Sequence, residues 1–169
     1  MPASALTTDK VWRVAAHVRN LGRVEGAKSA GNPVRGAQIY AGKGGCSRCH
    51  TIGGQGGAIG PDLADIGARQ NAAYMRTSIL DPDASVSLSF LQVHVVSKDG
   101  SNFTGVRVNE DSFSLQIRDL SNQVHSFWKN ELTEVVREPK RSLMPSYRNI
   151  LNAEECDDLV AYLSLQGGR

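Results

Sequence analysis

The feature that most constrains this chain is a short run, Cys46-Ser-Arg-Cys-His50, in which two cysteines stand three residues apart and a histidine follows at once. On a helical turn, two such cysteines face the same side and can form thioethers with the two vinyl groups of a haem. His50 then presents its imidazole to the iron as the proximal ligand. The run predicts one covalently attached haem c, held by Cys46 and Cys49, with His50 on the iron.

Two other kinds of site use the same residue types. A zinc site needs four ligands, and the chain has no second Cys-x-x-Cys pair, although Cys156 and another histidine could complete one. A thioredoxin-like redox pair normally follows a strand, whereas the segment before Cys46 is predicted to be helical and glycine-rich. A chance occurrence of three fixed positions also stays open, so the flanking sequence has to decide.

The composition is that of a globular protein, with 40% hydrophobic and 21% charged residues in a chain of 169. A net charge of +2 argues for neither nucleic acid nor an anionic membrane surface as a partner. No apolar run approaches the roughly 20 residues that span a bilayer, and the first ten residues lack the pattern of a secretory signal. Three cysteines are too few for a disulfide framework.

Helical patterns occupy both ends of the chain, and a different pattern lies between them. Helices are predicted at 9–22, 33–43, 71–80 and 152–165, with a linker at 23–33 and a glycine-rich loop at 53–61. Asn152 and Glu155 fit a capping box at the start of the last helix. The acidic residues that follow are interpreted as favourable to the helix dipole and no more: Glu154, Glu155, Asp157 and Asp158.

Residues 87–138 alternate with a period of two. An Asp-Gly turn at 99–100 separates two alternating runs, which indicates a hairpin, and three further short runs follow at 113–117, 124–128 and 132–136. The pattern predicts an antiparallel meander of four or five strands inside an otherwise helical chain. The edges of such a sheet could cover the haem, contact a parent protein or pair with a second copy in a homodimer.

Three further motifs flank the pentapeptide. "GPDL" follows at 60–63, "SLMPSY" stands at 142–147, and "LVAYL" lies in the last helix at 159–163. With Gly36 and Tyr40 in the helix before the pentapeptide, the chain resembles the class I cytochromes c. The resemblance covers roughly residues 33–82 and 142–166, and it departs from the usual pattern in the 94 residues between His50 and Met144.

The resemblance implies a mainly α cytochrome c fold with an inserted antiparallel β-sheet, α+β overall. It implies that Met144 is the second axial ligand of the iron and that the Pro61 carbonyl accepts the ring N–H of His50. Gly60 would let the backbone approach the porphyrin edge. Gly36 and Tyr40 would lie where the first and last helices of the domain cross, and Tyr40 would also be a contact of the haem.

The chain resembles more narrowly the bacterial haem domains that carry such an insertion, often at the C-terminus of large dehydrogenase-like proteins. The domain is expected at 33–169, interrupted at about 87–138. Residues 1–32 resemble a helix and linker from the tail of an upstream haem domain, so the chain is interpreted as an excised segment; a plain N-terminal extension is the alternative. Because bacteria attach haem c outside the cytoplasm, a periplasmic or other extracytoplasmic location is expected.

Several other residues have the right chemistry for the site. Arg69, Arg141 and Trp128 could hydrogen-bond to the haem propionates, and the sequence does not choose among them. Met75 is expected in the core rather than on the iron, and Cys156 is expected to be a buried apolar residue, with an intermolecular disulfide as the alternative. Both histidines of the β pattern, His94 and His125, are expected to be partly exposed strand residues.

With His50 and Met144 on the iron, no coordination position is open for a substrate. The first hypothesis is therefore an electron-transfer module that is not itself an enzyme, with a dehydrogenase or another cytochrome as its redox partner. A haem enzyme or gas sensor with an open or labile sixth site is the second hypothesis, although no peroxidase-like motif is recognisable. In the third, the haem only stabilises the fold and the β segment mediates an interaction.

Overall fold

The computed structural model describes residues 7–21 and 30–167. Most of the predicted linker lies outside these residues. Within them, no helix is both long enough and apolar enough to cross a membrane. The α-helices are α1 (Thr8–Leu21), α2 (Pro33–Ala41), α3 (Ile66–Arg69), α4 (Ala72–Leu80) and α5 (Ala153–Ser164).

The two helices that frame the site begin at strong caps. Asn32 caps α2 through its side chain, and Pro33 occupies the first turn, where its missing N–H costs nothing. Asn152 and Glu155 form the predicted capping box of α5, which is confirmed. The helix predicted at 71–80 is confirmed as α4, whereas the four-residue α3 gave no pattern long enough to detect.

Helices α2 and α5 cross with their backbones in contact. A methyl group at Gly36 would lie 2.0 Å from the carbonyl oxygen of Asp158 and 2.7 Å from Cβ of Tyr162, so only glycine fits. The rings of Tyr40 and Tyr162 pack at the same crossing with their centroids 5.6 Å apart. The predicted crossing is therefore confirmed. α5 occupies it, while residues 8–17 of α1 are exposed.

The interpretation of the acidic residues in α5 was wrong for Asp158. Its side chain is only 2% exposed, where a dipole effect alone would leave it in solvent. Its carboxylate accepts the Asn32 N–H at 2.6 Å and lies 2.7 Å from Arg35 Nε. Asp158 therefore ties the start of α2 to α5. These contacts join residues 126 and 123 positions apart, so local pattern could not reveal them.

A buried cluster forms the core of the helical part. It combines residues of α2, α4 and α5 with one residue that precedes α3 and two that precede α5: Ile39, Tyr40, Leu63, Met75, Ile79, Tyr147, Leu151, Cys156, Leu159, Val160 and Leu163. Met75 and Cys156 are both members, as expected. Partly buried Cys46 and Met144 pack against this same cluster.

Among the residues that the structure describes, seven strands form two sheets. The strands are β1 (Thr51–Ile52), β2 (Gln55–Gly56), β3 (Gln92–Ser97), β4 (Asn102–Glu110), β5 (Ser114–Arg118), β6 (Val124–Trp128) and β7 (Leu132–Glu138). β1 and β2 pair as a minimal hairpin; β1 lies just before the loop predicted at 53–61, and β2 lies inside it. Two-residue strands show no periodicity, which explains why they were not predicted. We call residues 92–138, which hold the other five strands, the β insert.

The β insert is antiparallel with the order β6-β5-β4-β3-β7. The five strands are confirmed, but the simple meander is not, because β7 returns to pair with β3. The sheet edges β6 and β7 are joined by a single 3₁₀ turn, Lys129–Glu131. A flat sheet would separate its edge strands by about 19 Å. The four Cα–Cα steps from Trp128 to Leu132 span at most about 15 Å, so the sheet must be curled.

The curled sheet encloses a core of its own. Leu91, Val93, Val95, Leu115 and Ile117 are buried, and Phe103, Phe127, Leu132 and Val135 pack around them. This cluster is separate from the helical core. The described part of the chain is thus a helical part and a β insert, each with its own apolar cluster, as expected for an α+β arrangement.

Candidate functional site

The two cysteines lie on one tight turn. A 3₁₀ turn spans Cys46–Arg48, and the N–H groups of Cys49 and His50 both donate to the Cys46 carbonyl, at 3.1 and 2.9 Å. Both thiols are partly buried and unpaired. Burial raises the pKa of Cys46 to about 11, so this thiol is protonated at neutral pH. The turn presents two free thiols and an imidazole within five residues.

The imidazole of His50 is held in one orientation. Its Nδ1 lies 2.9 Å from the Pro61 carbonyl oxygen. Because a carbonyl can only accept, Nδ1 must carry the proton, and the lone pair of the neutral ring is then on Nε2. Burial lowers the pKa of His50, although the Pro61 carbonyl opposes this. The ring is therefore a neutral imidazole with Nε2 available to a metal, which is the geometry that the Pro61 prediction requires.

The segment after the β1–β2 hairpin folds back over the turn. The Gly57 N–H donates to the Ser47 carbonyl at 2.9 Å, and the Gly60 N–H donates to the Cys49 carbonyl at 2.8 Å. A methyl group at Gly60 would lie 2.6 Å from Cε1 of His50. The sequence-based reason for this glycine was close approach to a porphyrin. The structure gives a different one, because Gly60 makes room for the imidazole of the chain itself.

Two tyrosine hydroxyls brace the turn from the core. Tyr40 donates to the His50 carbonyl at 3.1 Å, and burial raises the pKa of Tyr40 to about 12. Tyr147 donates to the Gly44 carbonyl at 2.6 Å in a fully buried bond. Tyr40 was a candidate cofactor contact, and its hydroxyl lies on the backbone of His50. The role of Tyr147 was missed, because a bond across 103 residues leaves no local signal.

The segment that carries Met144 is fixed to α4. The Ser146 hydroxyl donates to the Leu80 carbonyl at 2.6 Å, and the Tyr147 N–H donates to the Ile79 carbonyl at 3.0 Å. The side chain of Met144 is partly buried against the helical core, as is that of Cys46. The structure therefore holds both residues on one apolar cluster. The assignment of Met144 to the iron stays a prediction.

The segments that precede and follow the β insert are joined to each other by a hydrogen bond, and we call this connection the neck. Asp83, in the 3₁₀ turn Pro82–Ala84 after α4, accepts the Ser142 N–H at 2.7 Å. The bond joins two residues that are 59 positions apart, one on each side of the insert. This explains how a long insertion leaves the Met144 segment beside α4.

The remaining candidates lie in varied places. Arg69 is partly exposed, with Nε on Asp65 at 2.7 Å and Nη2 on the Asp62 carbonyl at 2.8 Å. Arg141 is exposed, and Trp128 is an exposed residue of β6. Among the described residues, no hydrogen bond joins any two of these three, and their role at the propionates stays a prediction.

Both histidines of the β insert are partly exposed, as expected, and are bonded within it. His94 Nδ1 lies 2.9 Å from Thr104 Oγ1, and His125 Nε2 lies 2.7 Å from Asp119 Oδ2. Across residues 7–21 and 30–167, no three Cys, His, Asp or Glu side chains are grouped to hold a metal ion, as a zinc site would require. The turn before Cys46 also follows α2 rather than a strand, unlike a thioredoxin-like pair.

Comparison with known proteins decides between these readings. Residues 33–111 match the family model described as Cytochrome c. The chain contains a cytochrome c domain. The matched residues include Cys46, Cys49, His50 and Pro61, and they end within the β insert, before Met144. No curated protein matches the chain.

The cytochrome c domain binds covalently attached haem c, and its single Cys-x-x-Cys-His motif provides for one. The residues of this structure fit that group: two free thiols share one turn, and the neutral His50 keeps Nε2 available. Cytochrome c domains typically carry electrons, and in bacteria they typically lie outside the cytoplasm.

Proposed function

We propose that this domain is an electron carrier in which His50 and Met144 hold the iron of one haem c between them. The observation that carries the proposal is the shared core. Cys46 and Met144 pack against one buried cluster, and Tyr147, three residues after Met144, bonds to Gly44, two residues before Cys46. The two sides of the site are thereby joined through protein contacts.

The residues of the chain have separate tasks in this proposal. A bound haem c supplies a metal centre that takes up and releases one electron at a time. Cys46 and Cys49 attach it as thioethers, while Pro61 keeps the proton of His50 on Nδ1 and makes the ring a stronger ligand. Met144 supplies a soft sulfur ligand, which raises the reduction potential. Two protein ligands leave no position for a substrate.

The proposed partner is a dehydrogenase or another cytochrome, either as a separate protein or as part of the same polypeptide. Contacts between redox proteins are usually small and short-lived, which suits a carrier that must bind and leave repeatedly. The proposed location is the bacterial periplasm, where haem c is attached.

Optical spectra of the holoprotein test the ligand set. With Met144 on the iron, the oxidised protein is expected to be low-spin and to show the weak long-wavelength sulfur-to-iron band. The reduced protein should not change when carbon monoxide is added. A high-spin spectrum or prompt binding of carbon monoxide would mean an accessible iron, and the sensor or enzyme hypothesis would then replace this one.

A pair of methionine variants isolates the ligand. Met144→Ala should abolish the sulfur-to-iron band, lower the reduction potential and allow carbon monoxide to bind. Met75→Leu is the matched control, because Met75 is buried in the helical core and should leave all three properties unchanged. If Met75→Leu abolished the band and Met144→Ala did not, the ligand assignment would be wrong.

A further inference from the structure

The β insert touches the haem-binding part at a second point besides its neck. Asn122 lies in the turn between β5 and β6, and its Oδ1 accepts the Ala58 N–H at 3.2 Å. Ala58 belongs to the segment that folds back over the Cys-x-x-Cys-His turn. A residue at the tip of a hairpin thus bonds to a residue 64 positions earlier, immediately beside the site.

The hairpin turn is built to present this side chain. Asn122 has a φ of +65°, the only positive φ among the described residues other than glycine. Its N–H donates to the Asp119 carbonyl at 3.0 Å. Arg118 Nη1 donates to the same Oδ1 at 3.1 Å and so fixes the direction of the amide group.

The carboxylate of Asp119 restrains the turn through contacts that do not involve the Asn122 side chain. It accepts the N–H groups of Ser121 and Gln123 at 2.8 and 3.0 Å. It also pairs with His125, whose ring packs on Phe103 with the centroids 4.8 Å apart. The tip of the hairpin is thereby joined to the interior of the β insert, and the position of Asn122 follows that of the whole sheet.

Ala58 is placed where such a contact can act on the site. On either side of it, Gly57 and Gly60 bond to the carbonyls of Ser47 and Cys49. Pro61, which follows Gly60, provides the carbonyl that accepts the hydrogen bond from the His50 ring. The N–H of Ala58 donates to Asn122 in the β insert, so the segment is bonded both to the Cys-x-x-Cys-His turn and to Asn122.

We propose that Asn122 is a positioning residue for the axial histidine: its bond to Ala58 holds residues 57–61 in place and so fixes the Pro61 carbonyl on His50 Nδ1. The strength of that bond sets the basicity of the imidazole and therefore the reduction potential of the iron. The β insert then tunes the site instead of being a neutral extension of a loop. The inference rests on His50 as an iron ligand and does not depend on which partner the domain serves.

Three variants of the full chain, prepared with haem, test the inference. Asn122→Gly removes the acceptor and keeps a residue that adopts positive φ without strain. Asn122→Asp keeps both the acceptor and a residue tolerant of this conformation. Asn102→Gly is the matched control, since the side chain of Asn102 bonds to the Gly100 carbonyl within another turn of the same insert. All should fold, because the neck bond and the Asp119 contacts remain.

Amide hydrogen exchange over residues 53–61 and the reduction potential are measured on each. For Asn122→Gly we expect exchange in this segment to become about fivefold faster, as for the loss of one hydrogen bond. Its potential should move away from that of the parent protein. Asn122→Asp should restore the slow exchange and return the potential towards the parent value, and Asn102→Gly should change neither.

Two results would overturn the inference. Unchanged exchange in Asn122→Gly would mean that Asn122 does not restrain the segment. Faster exchange with an unaltered potential and haem spectrum would mean that the restraint does not reach His50. Neither result depends on carbon monoxide binding, so a failure here is distinguishable from a failure of the proposed electron-carrier function.

Discussion

The helical part and the β insert bury their apolar side chains in different ways. In the β insert, Val93, Val95, Leu115 and Ile117 are all fully buried, and a curled sheet closes around them. The helical core also has fully buried members such as Leu159, but side chains of another kind border it, among them Cys46 and Met144. The cluster of the β insert holds the curled sheet together, while the helical cluster also packs against two side chains of the site.

The two parts also differ in how they hold a shielded carboxylate. Asp158 is paired at the crossing of α2 and α5, where it joins distant segments of the helical part. Glu110 lies at one end of the β insert and pairs with Arg107, Lys129 and Arg137. Each carboxylate therefore belongs to one part only. Because neither carboxylate links the two parts, we expect that each part can be perturbed separately, and the experiments below test this.

The largest effects are expected from truncations in the two cores. Leu115→Ala and Leu159→Ala each remove a buried leucine and should each lower the free energy of unfolding by about 2–5 kcal/mol. Amide exchange followed region by region should show that Leu115→Ala weakens protection in residues 92–138. Leu159→Ala should instead weaken protection in α2, α4 and α5.

The comparison between the two variants contains its own control, since each reports on the region that the other leaves intact. If both truncations accelerated exchange equally in both regions, the β insert and the helical part would unfold as one cooperative unit. The two separate apolar clusters would then not correspond to two regions that unfold separately.

The helix crossing is expected to be the next most sensitive point. Gly36→Ala would place a methyl group 2.0 Å from a backbone oxygen of α5. Because two helix backbones must separate to admit it, we expect a loss of about 3 kcal/mol in the free energy of unfolding. Urea denaturation followed by circular dichroism would measure this.

Gly100→Ala is the control in the β insert. Its φ of +86° disfavours a side chain, but nothing lies within 4 Å of the added methyl group, so only about 1 kcal/mol should be lost. Equal losses in the two variants would show that backbone conformation, and not the contact with α5, makes Gly36 necessary.

Local pattern was sufficient for most elements of this fold. The capping box of α5, the Asp-Gly turn after β3 and the alternation of β5 and β6 all depend on residues within a few positions of one another. The pentapeptide likewise carries its chemistry within five residues, and its flanking motifs gave the family. The features that were predicted correctly are therefore those that depend on residues close together in the sequence.

The contacts that the sequence did not reveal are those between distant segments. The bonds of Tyr147 to Gly44, Asp158 to Asn32 and Asn122 to Ala58 each cross more than 60 residues. No periodicity or capping rule relates such positions. The return of β7 to β3 was missed for the same reason, because strand order is a property of the whole sheet.

A smaller effect is expected from the buried bond that joins the two sides of the site. Tyr147→Phe removes the hydroxyl and leaves the Gly44 carbonyl without this donor, which should cost about 1 kcal/mol of stability. The Met144 segment should also become looser, so the reduced holoprotein should bind carbon monoxide more readily than the parent. Tyr74→Phe is the control, because Tyr74 is an exposed tyrosine of α4. Identical carbon monoxide binding in Tyr147→Phe and the parent would contradict a role in holding Met144.

The smallest effect concerns Glu110 and its dependence on pH. Its hydrogen bond from Arg137, with further bonds from Lys129 and Arg107, lowers the pKa of Glu110 from 4.5 to about 2. A carboxylate whose pKa is lower in the folded state stabilises that state above its ordinary pKa. This contribution should be lost as the pH falls from about 4.5 to about 2. The pKa of Asp158 is also lowered, chiefly by the Asn32 N–H, so acid should weaken both parts of the molecule.

Glu110→Gln isolates the contribution of Glu110. Urea unfolding midpoints at pH 7, 4.5 and 2.5 should fall less steeply with acid in this variant than in the parent, because the contribution of Glu110 is absent while those of other carboxylates with a lowered pKa, such as Asp158 and Asp119, remain. The variant should also be less stable than the parent at pH 7, where the lost carboxylate leaves three cations close together. Glu134→Gln, at an exposed position of β7, should reproduce the parent curve. If Glu110→Gln kept the full acid dependence, the ion pairs of Glu110 would not contribute to the stability of the folded state.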